Sequence, residues 1–138
     1  MAQQVLLIDD DEGYLLAARR LLEQAGYDVR TAGSAAEARG QLASEKPDLM
    51  LLDVIMPGED GFTFAEKLAQ DETIAGVPVV LVTSVADSAG HTLRAFEKGK
   101  GLTAADVLPK SDAHERLLEC VASVLGRQQD STAQNSNT

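Results

Sequence analysis

At 138 residues the chain has the length of one ordinary domain, enough to bury a core without disulfides or a structural metal. A formal net charge of −10 argues against nucleic acid as a direct partner, because phosphate contacts need clustered Lys and Arg, and points to protein partners or a cation held by carboxylates. With Cys120 as its one cysteine the chain cannot form an internal disulfide, which makes a reducing cytoplasm the expected compartment.

Met1 to Gln4 carry no basic region of the kind that opens a secretory signal. They lead into Val5 to Ile8, a continuous apolar run of strand length. Asp9, Asp10, Asp11 and Glu12 follow; the last two read as a helix start, where carboxylates are favoured. Leu15, Leu16, Leu21 and Leu22 then recur with helical period up to Gly26, a residue suited to a helix end. A weaker strand is expected over Tyr27 to Thr31, and Ser34 with Glu37 has capping-box spacing before a second helix carrying Ala35, Ala38 and Leu42. Beyond Pro47, Leu49 to Leu52 form a second continuous apolar strand that runs into Asp53. Pro57 precedes a third helical segment with Phe64, Ala65 and Leu68, and Val77 to Val82, which includes Pro78, is a further β-branched strand leading to Thr83 and Ser84. After a fourth helix, a weak strand over Ala105 to Leu108 is followed by Lys110, and a last helix carries Leu117, Leu118, Val121, Val124 and Leu125 on one stripe, with Cys120 expected to be buried there. No apolar run approaches the ~18 residues of a membrane span. Residues 1–126 thus read as one domain, and residues 127–138 as a disordered polar tail or linker.

Five strands alternating with five helices predict an α/β fold. The sheet should be parallel and doubly wound, with right-handed crossovers and helices on both faces. In such a sheet, ligands gather at the carboxyl ends of the strands. Asp9 and Asp10, Asp53, Thr83 and Lys110 all follow or end strands at that edge. Clustered carboxylates repel one another and need compensation, which Mg2+, a hard cation with oxygen ligands, supplies. A cation together with Lys110 would also neutralise charge in phosphoryl transfer, with Asp53 as the nucleophile.

The segments VLLIDDDEGYLLAARRLLEQAGYDV, PDLMLLDVIMPGEDGFTF and VPVVLVTS, and the lysine in VLPKSD, resemble in order the four signature regions of response-regulator receiver domains. The resemblance covers about Gln4 to Gly126. It implies a flavodoxin-like fold with strand order 2-1-3-4-5, and a two-component signalling switch that accepts a phosphoryl group from a sensor histidine kinase or phosphotransfer protein. Carried over by position, Asp53 would be the phosphoacceptor, Asp10 a direct Mg2+ ligand and Asp9 a ligand acting through water. Ile55 would contribute its backbone carbonyl, Thr83 the hydroxyl that moves toward the phosphoryl group, and Lys110 the cation that pairs with it. Such a protein is not an enzyme with a separate substrate; it catalyses its own phosphorylation and slow autodephosphorylation. Downstream, a target protein is expected, with the receiver a monomer or weak dimer.

Two departures from the family bear on the output face. Val107 stands where receivers usually carry an aromatic switch residue, and proline precedes Lys110, as Pro109, where the family places one after it. They support a second expectation, a degenerate receiver acting as a phosphorylation-independent interaction module. Ile55 and Val85, each two places beyond a site residue, are apolar where polar groups in the family orient the attacking water, which predicts a long-lived phosphoryl-aspartate. His91 and His114 lack metal-ligand spacing and carry no expected role.

Overall fold

The computed structural model describes residues 2–53, 67, 76–83, 106–109 and 116–126. Among them, five strands form one parallel sheet: β1 (Gln4–Ile8), β2 (Asp28–Ala32), β3 (Leu49–Asp53), β4 (Val79–Thr83) and β5 (Asp106–Pro109). Their order is β2-β1-β3-β4-β5, the flavodoxin-like arrangement that the resemblance implied. Helices α1 (Glu12–Gln24) and α2 (Ala35–Ser44) follow β1 and β2, and a further helix covers residues 116–126. Of the expected third helix only Lys67 is described, and it is helical. The fourth helix, Ile55, Val85, Lys110 and residues 127–138 lie outside the described residues.

Why the central strands are apolar throughout follows from the layers. Val5, Leu7, Leu49, Leu51, Val80, Val82 and Leu108 belong to one buried cluster with Leu15, Ala18 and Leu22 of α1 and with Leu117, Cys120, Val121, Val124 and Leu125 of the last described helix. The intervening residues Leu6, Ile8, Met50, Leu52 and Leu81 point to the opposite face by the two-residue period of a strand, and they are buried as well. Helix α2 packs on that second face. There Arg30 of β2 donates to the carbonyl oxygens of Gln41 at 3.4 Å and Glu45 at 2.9 Å, a second bond for the Gln41 carbonyl, which also accepts the Glu45 N–H at 3.0 Å, and a partner for the carbonyl of the residue that ends α2.

Helices α1 and α2 are terminated by side-chain and backbone chemistry that the sequence signals. Asp11 caps α1, its Oδ1 accepting the Tyr14 N–H at 3.1 Å. Ser34 caps α2 by accepting the Glu37 N–H at 3.2 Å, while the Glu37 carboxylate accepts the Gly33 N–H at 2.7 Å. At the far end of α1 the Gly26 N–H donates to Glu23 and the Tyr27 N–H to Leu22, with Gly26 at φ +100°. This is the double closure of a Schellman turn.

Strand and helix limits differ from the sequence expectation in small, explicable ways. β4 begins at Val79, two residues later than expected, because Pro78 has no N–H to give to a ladder and contributes only its carbonyl, which accepts from Met50 at 3.0 Å. β5 continues through Pro109, tolerable because β5 is an edge strand. Leu16, grouped by period with the buried leucines of α1, is instead 52% exposed. One residue advances a helix by ~100°, which turns Leu16 away from the face that carries Leu15 and Leu22.

Replacing Gly26 by alanine meets no steric obstacle, so its cost isolates the backbone conformation. Gly26→Ala should lower unfolding stability by about 1–2 kcal/mol, read as a shift of the urea midpoint at unchanged slope, and Gly26→Asn should lose less.

Candidate functional site

Parallel pairing sets which residues meet. Ile8 lies opposite Leu52 in the β1–β3 register, so the next residues along the two strands, Asp9 and Asp53, emerge side by side at the carboxyl edge. The order β2-β1-β3 means the chain crosses over β1 on its way from β2 to β3, and the crevice outside these strand ends is where ligands bind in open α/β sheets. The Asp9 N–H donates to the Ala32 carbonyl at 3.0 Å, which ties the start of the acidic loop to the end of β2. From there the chain turns into α1 under the control of Asp9 itself, whose Oδ1 accepts the Asp11 N–H at 2.9 Å.

Ligand oxygens of Asp9, Asp10 and Asp53 all lie within 4.8 Å of one another. Asp9 is 2% and Asp53 3% exposed, whereas Asp10 is exposed. Two charges at 4.8 Å repel by roughly 3 kcal/mol at an effective dielectric of ~20, so each pair in this trio opposes folding unless a cation or proton intervenes. The donor set fits a hard divalent cation. Oxygens on opposite sides of a Mg2+ are ~4.2 Å apart, given metal–oxygen distances of 2.0–2.1 Å, a separation inside the observed spread. Exposure of Asp10 leaves one side of the pocket open to the waters that Mg2+ retains.

The remaining expected site residues fall as follows. Thr83 is the last residue of β4 and stands opposite Pro109 in the β4–β5 register. Asp53 pairs with Val82, so Thr83 is one residue further toward the same edge. Val107 lies opposite Leu81, two residues back along β4 from Thr83. Ile55 and Lys110 are outside the described residues. Asp11 and Glu12 start α1 as expected, Asp11 as its cap.

Tyr14 is a half-buried polar residue of α1 that the sequence reading did not single out. It sits in the first turn of α1, its ring packed against the core cluster and its phenol oxygen buried. Burial, then the carboxylates of Asp9 and Asp53, then Cys120, push the phenol well above the ordinary tyrosine range. The available signal was its place: an aromatic side chain with a polar tip, three residues after a helix cap that adjoins the carboxylate pair.

Fold and pocket together define a doubly wound α/β domain with three carboxylates at its topological switch point. The model of the response regulator receiver domain matches residues 5–122, and the chain belongs to that family. It is 38% identical over 110 residues to the response regulator PleD of Caulobacter vibrioides, covering 80% of this chain and 23% of PleD. To the protein PilH of Pseudomonas aeruginosa it is 30% identical over 122 residues, 88% of this chain and 97% of PilH. Several of the curated relatives are longer; the chain spans about half of the transcriptional regulatory protein GltR. Among solved structures it is similar to a CheY-like receiver domain protein from Methanospirillum hungatei, at TM-score 0.80 and 26% identity over 95% of this chain and 99% of that one.

Removing one charge from the trio should relieve repulsion in the metal-free protein. Asp53→Asn is expected to raise unfolding stability in EDTA by about 1 kcal/mol or more and to abolish most of the stabilisation that Mg2+ gives the wild type. A wild-type urea midpoint in EDTA at or above that of the variant would refute the charge argument.

Proposed function

We propose that this receiver domain is a phosphorylation-activated switch, with Asp53 the phosphoacceptor and Mg2+ held by Asp9, Asp10, Asp53 and the Ile55 carbonyl. The observation that carries the proposal is the placement of a buried carboxylate, Asp53, at the carboxyl end of β3 within 4.8 Å of two others. In the transfer an Asp53 oxygen attacks the phosphorus of a phosphohistidine on a sensor kinase or phosphotransfer protein. The O–P bond forms, the P–N bond breaks, and the leaving imidazole keeps the electron pair and takes a proton. Bound Mg2+ would supply charge neutralisation at the phosphoryl oxygens. Most of the protein's contribution is positioning and electrostatics.

Thr83, at the end of β4, is the hydroxyl suited to hydrogen-bond the phosphoryl group. Lys110, which follows Pro109 directly in the chain, is the cation suited to pair with it. A phosphoryl group contacting Thr83 differentially in two conformations would shift a pre-existing equilibrium. The β4–β5 edge, where Val107 replaces the usual aromatic, would carry that shift to a downstream target protein. An intact set of Asp9, Asp10, Asp53, Thr83 and Lys110 weighs against a module that never uses phosphorylation.

With Mg2+ and acetyl phosphate, intact-mass analysis should show the addition of one phosphoryl group, absent in Asp53→Asn and without Mg2+. The species should be long-lived, and Ile55→Asn, which offers a polar group to orient water, should shorten its lifetime several-fold. Failure of the wild type to be modified or to bind beryllofluoride would reject the switch.

A further inference from the structure

Asp11 stands next in the chain to the acidic trio of Asp9, Asp10 and Asp53 without belonging to it, and the phosphoryl chemistry above gives it no part. Its acceptors are engaged locally: Asp11 Oδ1 accepts the Tyr14 N–H at 3.1 Å, and the Asp11 carbonyl accepts the Leu15 N–H at 3.0 Å. These bonds hold Asp11 at φ −88° and ψ 102°, the extended conformation of a helix cap. From that conformation its own N–H is directed back at the pocket, where it donates to Asp9 Oδ1 at 2.9 Å. The backbone of Asp9 is fixed independently, its N–H donating to the Ala32 carbonyl at 3.0 Å. The donor that meets the Asp9 carboxylate is therefore aimed by the side chain that caps α1.

We propose that Asp11 is a positioning residue of the acidic pocket: by capping α1 it points its backbone N–H at Asp9 and holds that carboxylate in the arrangement that binds a divalent cation. The inference rests on the cation reading given above. A carboxylate that accepts an N–H on one oxygen cannot rotate freely, and such partners of metal-ligating groups typically account for about 10–100-fold in metal affinity. Without a capping side chain, residue 11 can turn helical or fray, and either change carries its N–H away from Asp9. Cap and charge can be separated. Asparagine caps a helix about as well as aspartate, whereas glycine costs the helix little yet offers no side-chain acceptor.

The test uses the full chain and Mg2+ as the probe. Melting temperature as a function of Mg2+ concentration yields an affinity by mass action for the wild type, Asp11→Asn and Asp11→Gly. Asp11→Gly should bind Mg2+ about tenfold more weakly, and Asp11→Asn, neutral but still capping, should bind nearly as the wild type does. A second measurement needs no metal: in EDTA the amide of residue 11 should exchange slowly with solvent in the wild type and Asp11→Asn, and much faster in Asp11→Gly after correction for intrinsic rates. Wild-type affinity in Asp11→Gly, or an unprotected Asp11 amide in the wild type, overturns the proposal. So does an equal loss of affinity in Asp11→Asn and Asp11→Gly, because the charge and not the cap would then govern binding. If the wild type itself shows no Mg2+ binding, the cation reading fails first and takes this inference with it.

Discussion

Everything at the site depends on the parallel pairing of β1 with β3. That register puts Ile8 against Leu52, and the next step along each strand is an aspartate. Parallel strands run out at the same edge, so the two carboxylates are brought together by hydrogen bonds several residues away from them. The residues making that ladder are buried on both faces, which fixes the register: a slip by one would exchange the two core faces and separate Asp9 from Asp53.

The fold therefore holds an unfavourable arrangement in place. Three carboxylates within 4.8 Å oppose folding, and the apolar core on both sides of the sheet offsets them. Asp9 does two jobs in this setting. One oxygen anchors the Asp11 N–H and so starts α1, while its carboxylate remains part of the acidic trio. Through that bond the start of α1 is tied to the pocket.

Family membership accounts for the pocket but leaves the output open. The chain spans 23% of PleD and 97% of PilH, so relatives use the same domain both within longer proteins and nearly alone. The two departures from the family pattern noted in the sequence, Val107 and Pro109, both lie in β5. Val107 and Pro109 stand opposite Leu81 and Thr83.

Strand identity, the α/β alternation and the helix ends were legible in the sequence because they rest on local chemistry. Continuous apolar runs marked β1 and β3, Ser34 with Glu37 marked a cap, and Gly26 marked a helix end that needs positive φ. The signature segments likewise pointed to Asp9, Asp10 and Asp53 by position. Tertiary structure alone decided the rest. Whether Leu16 faces core or water depends on the angle at which α1 docks, which period alone does not specify. That Asp9 is buried while adjacent Asp10 is exposed follows from where the chain leaves the sheet: the Asp9 N–H is still bonded to the Ala32 carbonyl, and the backbone bends away at Asp10. That the Tyr14 ring packs against the core and buries its oxygen was likewise decided by packing, not by sequence spacing. Local signals fix what each segment becomes, and only the burial of one segment against another fixes which polar atoms meet.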